Sequence, residues 1–131
     1  MKRKPKGERA LVDFTRRVFA PPAWHVKLHS RGVRIEPTTD PVKGEWILPH
    51  GDTGKHSAVY YLHGGGYISG SAKTNRPIAV PLARRLKRGV FSLDYRLAPE
   101  HRFPAALDDA LAGYRWLVST GVDPRFLAVS G

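Results

Sequence analysis

The 131 residues include no cysteine. That absence excludes disulfides, thiolate nucleophiles and thiolate metal sites, and it fits the cytoplasmic location we expect. Long hydrophobic runs are also missing, and none approaches the roughly 20 residues that span a bilayer. The basic opening "MKRKPKGER" leads into "ALVDFTRRVF", where Asp13, Arg16 and Arg17 break any signal-peptide core. His25 and His29 have no nearby carboxylate or thiolate to complete a metal site and read as surface. Negative charge is scarce: 22 Lys/Arg face 11 Asp/Glu, a formal net charge of +11. Residues 1–34 hold ten of those cations against Glu8 and Asp13. Such an arm could touch an anionic surface, but without interleaved aromatics it reads as a solvated helix face and tail rather than a nucleic-acid site.

What is present describes one domain with a core: 41% hydrophobic and 25% charged residues. Leu11, Phe14, Val18 and Phe19 recur at helical spacing between Gly7 and Ala20, and Pro21-Pro22 ends the helix. "VRIEP" and "GEWILP" read as two strands. "SAVYYLH", after the turn "HGDTGK", reads as a third strand covered on both faces. A helix is expected from about Thr74 to Arg88, with Ile78, Leu82 and Leu86 inward, Ala79 and Ala83 beside them, and Gly89 as its cap. Pro77 suits a first turn, whereas Pro81 should kink the helix or delay its start. "VFSLDYR" is a fourth strand and "LAPEHRFP" a loop. A helix from Pro104 to Thr120 should turn Leu107, Leu111, Tyr114 and Leu117 inward and stop at Gly121. "RFLAVSG" is a fifth strand. Strand–helix alternation from the third strand onward predicts an α/β fold with parallel pairing and helices on both faces.

Three consecutive glycines in "HGGGYISG" cost backbone entropy and add no packing, so a plain turn is a poor account of them. They sit at the carboxyl end of a parallel strand, where such folds bind ligands. One use is a phosphate cradle, with Asp94 at the end of the next strand as a ribose-binding acid. The spacing of Gly64, Gly66 and Gly70 departs from the dinucleotide fingerprint, His63 stands where a small or apolar residue is usual, and two strands precede the motif. "GDTGKHS" fails as a P-loop, since it precedes a strand and is too short. The other use is an oxyanion hole, in which unblocked backbone N–H groups stabilise the negative oxygen of a tetrahedral acyl-transfer intermediate.

"HGGGY", the stretch from Val90 with its "DYRLAPE", the following "HRFPAALDDALAGYRWL" and the closing "FLAVSG" resemble the hormone-sensitive-lipase-like carboxylesterases and lipases of the α/β-hydrolase superfamily. The resemblance runs in order from Val59 to Gly131, more weakly over 31–56. It implies the N-terminal part of an α/β-hydrolase fold: a mostly parallel sheet with flanking helices in 31–131, preceded by a basic arm and cap helix in 1–30. It implies oxyanion donors at Gly64, Gly65 and Gly66, loop support from His63, Asp94, Arg96 and Glu100, and a substrate-lining role for Tyr67. The substrate would be a small-molecule ester, with no cofactor, metal or nucleic acid. Asn75 stands where the family often carries histidine. Asp94, Arg96, Glu100 and His101 are expected to pair among themselves and fix the loop rather than act as acids and bases.

In such enzymes the nucleophile sits in G-x-S-x-G, and the triad runs in the order Ser, acid, His. None of the seven serines lies in that motif, and Ser130 precedes the glycine it would have to follow. Gly131 therefore reads as the start of a nucleophile elbow in a truncated ester hydrolase. None of the Ser/Asp/His triad is present, and the chain alone is expected to be inactive. A non-catalytic acyl-ligand- or partner-binding protein is the alternative. A fifth strand with nothing beyond it would be an aggregation-prone edge.

Overall fold

A computed structural model describes residues 7–51 and 56–131. Most of the "HGDTGK" turn lies outside them. The elements are α1 (Glu8–Phe19), α2 (Ala23–His29), β1 (Val33–Thr38), β2 (Gly44–Pro49), β3 (Ala58–Leu62), α3 (Arg76–Leu86), β4 (Gly89–Leu93), α4 (Ala105–Ser119) and β5 (Leu127–Ser130). Single 3₁₀ turns, Lys73–Asn75 and Pro124–Phe126, precede α3 and β5. The five strands form one mixed sheet in the order β1-β2-β4-β3-β5. The first two pair antiparallel with each other and β2 pairs antiparallel with β4. β3 lies parallel to both β4 and β5, as the strand–helix alternation requires.

Side-chain alternation along β3 divides the core into two layers. Tyr60 joins Phe91, Leu93 and Leu117 on one face, under α4. Val59 and Tyr61 join Ile47, Val90, Ala79, Val80 and Ala83 on the other, against α3. β3 and β4 are buried almost throughout, as their continuous apolar runs predict.

Both helices differ from their sequence reading in the same way. In α4 the bulky stripe Leu107, Leu111 and Tyr114 faces out, and the sheet is met by Ala106, Ala110, Gly113 and Leu117. In α3, Ile78 and Leu86 are exposed while Ala79, Val80 and Ala83 are buried, with Leu82 half-buried beside them. The sheet supplies the volume through Tyr60, Phe91, Tyr61 and Ile47, so the helices approach closely through small residues. α3 continues through Pro81, and its cap is Lys87, in the left-handed conformation at φ 52°, rather than Gly89, which begins β4. β4 ends at Leu93, which releases Asp94, Tyr95 and Arg96 into the following loop.

α2 and α3 are joined to the sheet by an ion pair that the sequence did not signal. Arg76 donates to both oxygens of Glu45, at 2.8 and 2.7 Å, and the two side chains are only 18% and 7% exposed. The Arg76 guanidinium also reaches the Ser30 hydroxyl at the end of α2. Each group's charge is compensated where water is scarce, and the hydrogen bond to Glu45 holds the guanidinium above its ordinary pKa.

Candidate active site

The glycine loop leaves the carboxyl end of β3 with its amides unspent. Among the described residues, no N–H of Gly64, Gly65 or Gly66 donates a hydrogen bond within the protein. All three are exposed, and a Cβ built on Gly64 or Gly66 would meet no atom within 4 Å. Gly65 and Gly70 serve the loop differently. At Gly65, φ is +136° and a Cβ would run into the carbonyl of Ser69. At Gly70, φ is +95° and a Cβ would lie 2.6 Å from His63 Nδ1 and 2.7 Å from the Gly64 carbonyl. Only side-chain-free residues let the loop fold back so tightly on itself. The Gly65 carbonyl then accepts from the Ile68 and Ser69 amides, at 3.2 and 3.1 Å, and from the buried Ser69 hydroxyl at 3.0 Å.

His63 lies beneath this turn. Its ring is 3% exposed and stacks on Tyr95, with centroids 4.2 Å apart and planes at 12°. Nδ1 lies 2.9 Å from the Gly64 carbonyl, so it must carry the proton, and Nε2 is a buried lone pair without a partner among the described residues. Burial pushes the imidazole pKa below its usual 6.5, against the smaller pull of the Gly64 carbonyl and the Asp94 charge. The Tyr95 hydroxyl donates to the His63 carbonyl, and burial raises that phenol to about 12. His63 is thus a neutral brace, held by a tyrosine that the sequence reading passed over although it stands inside "DYRLAPE".

The other support residues do not pair among themselves as expected. Asp94 accepts the Ala72 amide at 2.6 Å, tying the far end of the glycine loop to the residue that follows β4. Arg96 grips Asp109 of α4 through its side chain and its own amide, the latter at 2.8 Å. Glu100 is held by Arg16 of α1 at 2.8 and 2.9 Å. His101 is exposed, its backbone N–H donates to the Leu97 carbonyl, and its side chain makes no hydrogen bond among the described residues. The physical reason is reach: in this loop successive side chains point to different neighbours, so each anchors a separate segment. Arg16, read as part of a solvated face, is the largest omission. No spacing within residues 1–34 marks it.

Tyr67 sits in the left-handed region at φ 63° with its side chain 67% exposed, and its carbonyl accepts the Ala98 amide at 2.8 Å. It is not among the residues lining a hollow of about 200 Å³ bounded by Arg16, Phe19, Ala20, Ser69, Gly70, Thr74 and Leu97. Asn75 donates to the Ser71 carbonyl at 3.0 Å and closes the 3₁₀ turn. Gly131 lies against the end of β3, where an added Cβ would be 2.7 Å from the Leu62 carbonyl. The half-buried His25 and His29 rings lie with centroids 4.3 Å apart and planes tilted by 53°, more enclosed than a surface pair. Among the described residues, no three His, Asp or Glu converge as a metal site, and no helix is long and apolar enough to cross a membrane.

A family profile for the alpha/beta hydrolase fold matches residues 59–131, more than half of the chain. This chain belongs to the α/β-hydrolase family. Its branch is the hormone-sensitive-lipase-like one to which the glycine loop and "DYRLAPE" pointed. The α/β-hydrolase chain is 46% identical over 79 residues to an ethyl acetate hydrolase of Pseudomonas putida, covering 57% of this chain and 25% of that enzyme. It is 38% identical over 111 residues to the carboxylesterase NlhH of Mycobacterium tuberculosis, 81% of this chain and 34% of the other. The crystal structure of EstE5 soaked with p-nitrophenyl butyrate superposes with a TM-score of 0.79 at 36% identity, over 99% of this chain and 43% of EstE5. The chain thus spans about a quarter to a third of these curated relatives and less than half of the solved one.

Proposed function

We propose that the chain is the oxyanion-bearing N-terminal part of a serine carboxylic ester hydrolase that cleaves esters of small to medium acyl groups through an acyl-enzyme. The observation that carries this is the set of unspent amides at Gly64–Gly66, open to solvent at the end of a buried parallel strand. When a nucleophile adds to an ester carbonyl, its oxygen becomes anionic, and prepositioned N–H groups stabilise that charge without reorganising. Loss of one such donor raises the barrier by roughly 2.7–4 kcal/mol in a studied hydrolase.

Two further features support the reading. Gly131 abuts Leu62, the residue before His63, so a serine two positions after Gly131 would emerge beside the glycine loop. The relatives are described as an ethyl acetate hydrolase and a carboxylesterase, both of which act on carboxylic esters. In this reading the N-terminal helix, expected from Gly7 to Ala20, belongs to a cap, and its apolar face meets substrate or the rest of the lid. Tyr67, exposed beside the glycines, contacts the substrate.

The gene tests it first. Codons after 131 in the same frame should encode x-Ser-x-Gly, with an acid and then a histidine further on; another sequence there would refute the assignment. At the protein level, the 131-residue chain should neither hydrolyse p-nitrophenyl butyrate nor accept a fluorophosphonate label. A labelled serine within it would overturn the claim that the nucleophile lies beyond Gly131.

A further inference from the structure

α1 presents its apolar stripe away from the body of the protein. Leu11 and Val18 are more than half exposed, Phe14 is 41% exposed, and Val12 is the one buried residue of the helix. What faces the body is Val12 with the half-buried Thr15 and Arg16, and Arg16 makes every side-chain hydrogen bond that α1 sends to another element among the described residues. Arg16 donates through Nε to the Ile68 carbonyl at 2.7 Å, through Nη2 to the Ala98 carbonyl at 3.1 Å, and through both terminal nitrogens to Glu100.

These acceptors belong to a closed circuit. Ile68 is in the turn whose amides bind the Gly65 carbonyl, and Ala98 returns its own N–H to the Tyr67 carbonyl. The guanidinium therefore bridges the two strands of loop that flank the open glycines. We infer that Arg16 is a positioning residue, a latch through which the docking of α1 sets the geometry of the glycine loop. An exposed Arg–carboxylate pair contributes little stability, and these side chains are 31% and 44% exposed, so the latch is reversible on energetic grounds. Its consequence for catalysis rests on the ester-hydrolase reading: oxyanion donors would be aligned only while the cap helix is seated.

The geometry separates tethering from positioning. A lysine can reach Glu100 and keep α1 attached, but a single ammonium cannot also replace the planar fork on Ile68 and Ala98. Hydrogen–deuterium exchange of the full 131-residue chain, read at residue level, compares wild type with Arg16→Met, Arg16→Lys and Glu100→Gln. In Arg16→Met, amides of α1 together with Ile68 and Ser69 should exchange at least about tenfold faster, while Phe91 and Leu93 in β4 stay unchanged. Arg16→Lys should keep α1 slow yet leave Ile68 and Ser69 fast, and Glu100→Gln should loosen α1 more than the loop. If Arg16→Met also speeds β4, Arg16→Lys decides alone. An Arg16→Lys loop indistinguishable from wild type, or an Arg16→Met loop unchanged while α1 frays, would overturn the latch. No step needs ester hydrolysis, so the latch can stand or fall apart from the proposed activity.

Discussion

Gly113→Ala sets helix propensity against packing, and the structure says which wins. Gly113 lies inside α4, where alanine is favoured over glycine by about 0.8–1.0 kcal/mol. A stability argument from sequence would therefore expect a gain. A Cβ at this position, however, would be driven into the Tyr60 hydroxyl and would lie 3.0 Å from Tyr60 Cζ and 3.1 Å from Leu93 Cδ1. Tyr60 is 1% exposed, and its hydroxyl donates to the Ala110 carbonyl at 2.9 Å, one turn earlier in the same helix. Neither the ring nor the helix can retreat, because Phe91 and Leu117 complete the same layer. Overpacking of a filled core costs about 1–3 kcal/mol. Pushing the hydroxyl off its acceptor strands a buried donor, for roughly another 1–3 kcal/mol. The net expectation is destabilisation of about 1–5 kcal/mol. Urea unfolding at low micromolar protein measures it as a lower midpoint with an unchanged slope. Tyr60→Phe in the same chain removes the colliding oxygen, so the double variant should recover at least about 1 kcal/mol relative to additivity. A higher midpoint for Gly113→Ala, or an additive double variant, would refute the close-approach argument.

Other consequences can be measured on the same chain. Arg76→Met leaves Glu45 buried, at 5% exposure, without its partner, and should cost about 3–5 kcal/mol in urea unfolding, much of it restored when Glu45→Leu is added. His63 takes up a proton less readily folded than unfolded, so stability from this group is complete above pH 6.5 and falls as the pH drops below it. His63→Gln should flatten that part of the stability–pH curve, and an unchanged slope would count against a buried neutral imidazole. β5 is a sheet edge with Val129 58% exposed, so wild type should self-associate with concentration in sedimentation velocity. Val129→Lys should remain monomeric at concentrations where wild type does not.

How much of this was legible in the sequence depends on the range of the signal. Local backbone chemistry was: the apolar runs of β3 and β4, the strand–helix alternation that forces β4, β3 and β5 parallel, and the glycine loop at the end of β3 follow from residue type and spacing. So does the absence of G-x-S-x-G, which no fold can supply. Tertiary structure decided which side of each helix is inside. A stripe of large apolar residues and a stripe of small ones have the same period, and only the volume of Tyr60 and Phe91 across the interface selects Ala110 and Gly113 over Leu111 and Tyr114. It also decided the partners of Arg16, Arg76, Asp94 and Glu100. Hydrogen bonds between residues 52 to 84 positions apart, such as those from Arg16 to Ile68 and Glu100, depend on where the chain returns in space, and sequence spacing carries no record of that.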